Sequence, residues 1–283
     1  MATEAAKLAA GSPALLSVRN LRKQYWRRAA FWRRGDPIVA VDGVDFEIPA
    51  GRTLALVGRS GSGKSTVARC VSRLERTDAG EIWIDGRDIS KLGASDFRPY
   101  RAQIQMVFQD AATSINPHFS AAEVIAEPLL IQKRGSREYC RERALELMQE
   151  VGLSPDGAAR RALDFSGGQR QRLAIARALA LHPKLLVLDE ALSGLDLSTQ
   201  AQIANLLLEL QAARSLTYLL ISHDIALVAR IAHTIAVMSA GKIVEQGPAS
   251  AIVSNRSRSE TKALLASATA FHSNLSLIFE EHA

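Results

Sequence analysis

Cysteine is scarce: the chain has two in 283 residues, Cys70 and Cys140, far apart and in no CxxC pair. Neither a disulfide framework nor a zinc site has support from that spacing, and both thiols read as small buried hydrophobes. Long apolar runs are lacking too. A membrane-spanning helix needs about 20 mostly apolar residues, and no uncharged stretch is both that long and that apolar; the chain is not itself a membrane span. Glu4 and Lys7 stand where a signal peptide would need its apolar run, so no secretion signal is read and the protein is expected to stay inside the cell. Internal repeats and low-complexity segments are also missing. What is present is ordinary for a globular protein: 47% hydrophobic and 23% charged residues, which excludes disorder, collagen and coiled-coil rods. At roughly 100 to 200 residues per domain, the length allows one large domain or two small ones. Thirty-five Lys plus Arg against 29 Asp plus Glu leave a net charge of +6. That mild excess suits a nucleic acid, an anionic membrane surface or a phosphate ligand alike.

Residues 15–19 and 38–48 alternate apolar and polar with β-branched side chains, the pattern of strands with one solvated face. Between them lies YWRRAAFWRRGD, which reads either as a nucleic-acid contact, aromatics between arginines suiting base stacking, or as a solvated loop or ribbon. An apolar strand from Thr53 to Val57 then meets a glycine-rich turn and a helix with Val67, Cys70, Val71 and Leu74 on one face. Residues 81–85 and 103–109 read as further strands. From about Asn116 to Leu181 the spacing becomes helical, with Ala144, Leu145, Met148 and Val151 recurring. After this helical insertion, KLLVLDE (184–190) and TYLLIS (217–222) read as buried parallel strands around an amphipathic helix, and TIAVMSAGKIVEQG as a hairpin turning near Gly241. The last thirty or so residues read as polar helix and tail.

Three motifs carry chemistry. Gly58, Arg59, Ser60, Gly61, Ser62, Gly63, Lys64 and Ser65 match GxxxxGK[ST], with Thr66 next, between a strand and a helix. Glycines let backbone amides turn toward an oxyanion, and the helix N-terminus adds about half a positive charge. Lys64 would reach the β- and γ-phosphates and the Ser65 hydroxyl would ligate Mg2+. Chance produces this pattern in roughly one chain in a hundred of this length. Asp189 and Glu190 end an apolar strand, where a parallel sheet delivers carboxylates to a ligand. Asp189 would hold Mg2+ through its water shell, and Glu190 would orient or deprotonate an attacking water. In FSGGQRQR, Ser166 and Gln169 have the spacing of a capping box, and Gly167 and Gly168 leave the amides uncovered. A second anion site is expected there.

GRSGSGKS, FSGGQ, LLVLDE and a strand ending at His223 (ISHD), in this order, resemble the nucleotide-binding subunit of an ABC transporter over nearly the whole chain. The resemblance implies an α/β fold: a P-loop NTPase core with an N-terminal antiparallel β subdomain and an inserted helical subdomain at about 111–180, within an ATPase domain of residues 15–266 flanked by tails at 1–14 and 267–283. It implies two ATP molecules at the interface of two cassettes, each between the phosphate loop of one and the signature helix of the other. Tyr25 resembles the aromatic that stacks on adenine, with Trp26, Phe31 and Trp32 near enough to compete. Gln109 resembles the glutamine that senses Mg2+ and the attacking water, Asp196 the aspartate that communicates across the dimer, His223 the switch histidine at the γ-phosphate and Glu190 the catalytic carboxylate.

The segments IQMVFQDAATSINPHFSAAEVIAEPL, LDLSTQAQIANLLLELQ and LTYLLISHDIALVARIAHTIAVM are similar to ATP-binding subunits of bacterial dipeptide, oligopeptide and nickel importers. That resemblance implies a peripheral protein at the cytoplasmic face of the inner membrane. Its implied partners are two permease subunits, a second ATPase subunit (a paralogue or another copy) and, indirectly, a substrate-binding protein. ATP and Mg2+ are the implied cofactors, and no nucleic acid is expected. Peptides are the favoured cargo, with nickel, opines and other small solutes open. An exporter cassette and a soluble ABC ATPase of translation or DNA repair are the alternatives. Three positions depart from the common pattern: Phe165, where Leu is usual, Ala191, where Pro is usual, and Gly194, where Ala is usual.

Overall fold

The computed structural model describes residues 14–28, 34–109, 114–254 and 261. Among these, two sheets form. The first is antiparallel, in the order β2-β1-β4-β5, from β1 (Ala14–Arg28), β2 (Arg34–Pro49), β4 (Ala79–Ile84) and β5 (Arg87–Asp88). The second has the order β10-β9-β3-β8-β7-β6, from β3 (Thr53–Val57), β6 (Ile104–Val107), β7 (Leu185–Asp189), β8 (Thr217–Ser222), β9 (Thr234–Ser239) and β10 (Lys242–Pro248). All its pairs are parallel except the β9–β10 edge hairpin.

The parallel strands read as continuous apolar runs because both faces are covered. Alternate residues divide between two cores: Ala55, Leu186, Leu188, Leu220 and Val237 face one, and Leu54, Leu56, Val187, Leu219 and Met238 the other. The second core also takes the inner face of the antiparallel sheet and helix α1 (Lys64–Val71), which contributes Val67, Cys70 and Val71. Short helices α2 (Ala94–Phe97) and α3 (Tyr100–Gln103) precede β6. The first core holds α4 (Ala121–Ile131), α5 (Arg137–Glu150), α6 (Gly167–Leu179), α7 (Leu197–Arg214) and α8 (Ile225–Ile231); α9 (Ala249–Ser254) packs at its edge. Both cysteines are buried and free, and burial pushes the Cys70 thiol up to about 12.

Some expected boundaries move. Helix α1 stops at Val71, leaving Leu74 58% exposed rather than on the core face. In α5 the inward residues are Cys140, Ala144, Leu147 and Met148, with Leu145 only half-buried. Strand β6 ends at Val107, so Gln109 lies in an exposed bend two residues beyond it. The basic aromatic segment begins as a two-stranded ribbon, Tyr25 opposite Ile38, Trp26 opposite Pro37 and Arg28 opposite Arg34. Phe31 and Trp32 lie outside the described residues, as do the N-terminal tail up to Pro13 and most of the C-terminal stretch. Among the described residues no helix is long and apolar enough to cross a membrane.

Candidate active site

Parallel register brings the motif residues to one edge. Val57 pairs with Ser222, and Asp189 with Ile221, so Gly58, Glu190 and His223 each follow a strand end, within one residue of the same level. The phosphate loop closes against its neighbours: a Cβ on Gly63 would sit 2.2 Å from the Ala40 carbonyl oxygen, at a φ of +105°. Only glycine fits such a position. Gly63 is the N-cap of α1 and has no side chain to cover the helix amides, the condition for receiving an anion there.

Lys64 is 4% exposed and Asp189 7%. The Lys64 ammonium donates to the carbonyls of Gly58 at 2.8 Å and Arg59 at 3.0 Å. Burial lowers its pKa, against the pull of Glu190 and Asp189. Burial likewise raises the pKa of Asp189, against the hydrogen bond from Ser65. That bond, from Ser65 Oγ to Asp189 Oδ1 at 2.9 Å, ties the phosphate-loop helix to the end of β7. The pair offers hard oxygen donors to a cation such as Mg2+, which takes one or two protein ligands and completes its shell with water and phosphate oxygens. Among the described residues no cluster of three His, Cys, Asp or Glu could hold a metal unaided.

The chain turns sharply after Asp189. Glu190 adopts φ of +50°, its N–H donates to the Ile221 carbonyl at 3.0 Å, and its own carbonyl accepts from Ser193 N–H at 2.9 Å and Ser193 Oγ at 2.7 Å. Strand β7 thus ends at Asp189, one residue short of the expected segment 184–190, and the Glu190 carboxylate swings out to stand 3.8 Å from His223 Nδ1. A cavity of about 110 Å³ beside Glu190, Ser193 and His223 is ample for a water molecule.

The signature segment lies elsewhere on the chain. Ser166 caps α6: its Oγ accepts from Gln169 N–H at 3.3 Å, while Gln169 Oε1 accepts from Ser166 N–H at 3.0 Å. Gly167 and Gly168 form the first turn, and Gly168 has a local reason as well. A Cβ there would meet Thr199 Cγ2 at 2.5 Å, and Thr199 in turn donates from Oγ1 to Asp196 at 2.7 Å. Asp196, the N-cap of α7, also accepts from Thr199 N–H at 2.9 Å, and these bonds hold its carboxyl below the usual carboxylate range. Sequence reasoning missed Thr199, whose importance depends on the packing of two helices distant in sequence. Phe165, where Leu is usual in the common pattern, is buried with the Arg160 guanidinium 4.7 Å from its ring centroid.

Comparison with known proteins gives the family. The profile of the family described as ABC transporter matches residues 41–193. The chain belongs to the ABC transporter family. Among its ABC relatives, "Probable peptide ABC transporter ATP-binding protein y4tS" of Sinorhizobium fredii is 45% identical over 258 residues, 91% of this chain and 73% of the relative. The di/tripeptide transport ATP-binding protein DppF of Pseudomonas aeruginosa is 41% identical over 91% of this chain and 80% of its own length. The glutathione import ATP-binding protein GsiA of Salmonella typhi is 45% identical over 90% of this chain, which spans only 41% of that longer protein. The ATP-binding cassette MJ0796, in a dimeric post-hydrolysis state bound to ADP and Pi, superposes with a TM-score of 0.73 at 30% identity, covering 83% of this chain and 98% of that one. The α/β P-loop fold is that of an ABC cassette, and the chain is an ATP-binding ATPase of the family.

Proposed function

We propose that this chain energises a bacterial importer of peptides by hydrolysing ATP between two cassettes. Relatives named for peptide, di/tripeptide and glutathione transport support the cargo. The observation that carries the chemistry is the Ser65–Asp189 bond, which sets the phosphate loop beside Glu190 and His223. In this reading the amides of residues 58–66 and Lys64 hold the triphosphate, and Tyr25 stacks on the adenine. Ser65 and Asp189, with Gln109, would hold Mg2+, which supplies charge neutralisation at the phosphates. Glu190 takes a proton from a water in the adjoining cavity as that water attacks the γ-phosphorus and the bond to ADP breaks. His223 positions the γ-phosphate. Ser166, Gly167, Gly168 and Gln169 act on the nucleotide of the partner cassette, with Asp196 between the two sites.

The helices within 111–180 would form the unit that meets two permease subunits at the cytoplasmic membrane face, so that closure of the cassettes is felt in the membrane. The test is purification of tagged wild-type and Glu190→Gln chains from bacterial membranes. Two permeases and a second cassette should come with both. The variant should bind ATP as the wild type does, hydrolyse it at least about a hundredfold more slowly and support no dipeptide uptake. Wild-type hydrolysis in the variant would remove Glu190 from its role, and recovery of ribosomes or nucleic acid in place of permeases would overturn the transport assignment.

A further inference from the structure

The ribbon of β1 and β2 runs outward from the phosphate loop. It touches the loop at Ala40, whose carbonyl oxygen fills the place of a Gly63 side chain. Two residues further along β2 is Ile38, opposite Tyr25, which puts the Tyr25–Ile38 pair about 7 Å along the ribbon from that contact at roughly 3.4 Å per residue. Ile38 is 45% exposed, so ring and aliphatic side chain together offer an open apolar surface beside the loop.

One face of the Tyr25 ring is already taken. Lys23 Nζ lies over it, 5.3 Å from the ring centroid, on a side chain only 12% exposed. The ammonium is held 3.5 Å from Asp78 Oδ1 and 3.8 Å from Glu75 Oε2. Asp78 is fixed to β1 on both sides of Lys23: it accepts from Gln24 N–H at 2.6 Å and donates its own N–H to the Arg22 carbonyl at 3.0 Å. Glu75 and Asp78 belong to the turn that follows α1, the helix that opens with Lys64, and Glu75 N–H is bonded back to the Arg69 carbonyl at 3.2 Å.

We propose that Lys23 is the positioning residue of the base site: clamped by the turn after the phosphate-loop helix, it covers one face of Tyr25 and fixes the other for adenine. This rests on the reading of Tyr25 as the adenine-stacking residue. A cation over a ring face is attracted by the ring quadrupole, so the contact restrains the ring in the free protein and the base meets an ordered surface. The same turn thereby sets the base platform at a fixed reach from the phosphate loop.

The test compares MgATP with magnesium tripolyphosphate, which lacks base and sugar, by titration calorimetry on the full-length chain. Lys23→Met should weaken ATP about two- to fivefold and leave tripolyphosphate unchanged, and Lys23→Arg should restore ATP. Tyr25→Leu should weaken ATP by about fivefold or more, and adding Lys23→Met to it should cost nothing further. Equal losses for both ligands, or no loss in Lys23→Met while Tyr25→Leu is impaired, would overturn the role of Lys23 and leave the platform standing. An unimpaired Tyr25→Leu would remove the platform, and the proposal with it.

Discussion

Two charges at the candidate site are carried against their own solvation. Asp189 has a raised pKa because of burial, so its protonated form favours the native state, and stability falls as pH rises from the unfolded carboxylate pKa through the folded one. Lys64 has a lowered pKa for the same reason; the stability cost of its charge is in place once pH has fallen below the folded pKa. At neutral pH both costs are present. Asp189→Asn keeps an oxygen that can accept from Ser65 and removes one of them. The nucleotide-free variant should be more stable than wild type by about 0.5–2 kcal/mol, and the advantage should narrow as pH falls through the raised pKa of Asp189 toward the ordinary carboxylate range. Thermal melts across pH measure this. In the same melts, Mg2+ should lose its extra stabilisation of the ATP-bound variant. The identities of these residues were legible because GRSGSGKS and KLLVLDE are local patterns. The turn at Glu190 was not: KLLVLDE reads as one continuous strand, and only the φ of +50° at Glu190 separates the buried carboxylate from the one facing His223.

Between elements, α7 packs tightly against the first turn of α6. Thr199 cannot rotate its methyl away from Gly168 without losing the bond from Oγ1 to Asp196. Gly168→Ala should therefore cost about 1–3 kcal/mol through overpacking, less the gain of up to about 1 kcal/mol in helix propensity. Thr199→Ser deletes the offending methyl and keeps the hydroxyl, and should recover most of the loss. Gly167→Ala, whose Cβ would meet only Leu195 Cδ2 at 3.7 Å, should be neutral or stabilising. Denaturant titrations of these variants decide the point; a Gly168→Ala chain as stable as Gly167→Ala would show that the helices separate freely. Element type was readable where the apolar period was long, as in the buried parallel strands and α7. Ends were not: α1 stops before Leu74 and β6 before Gln109, since both ends are set by tertiary neighbours that no local window contains.

Over the whole molecule, two helices begin in glycine-rich turns, α1 after Gly63 and α6 after Ser166. The sequence announced both through glycine spacing, whereas the register that unites Gly58, Asp189 and His223 follows from strand order, which periodicity alone does not give. If the two termini serve different nucleotides, damage at Ser166 must spare the nucleotide held by its own chain. Ser166→Asp makes the test clean, because aspartate is as good an N-cap as serine and the fold should be preserved. Its added negative charge would lie where the partner's γ-phosphate arrives. Monomer affinity for ATP should stay within about twofold of wild type, while hydrolysis by the assembled transporter falls by about a hundredfold or more, the scale on which removing one transition-state donor acts. Loss of monomer binding in Ser166→Asp, with an unchanged melting temperature, would mean that one cassette closes on its own nucleotide, and the two-cassette mechanism would have to be abandoned.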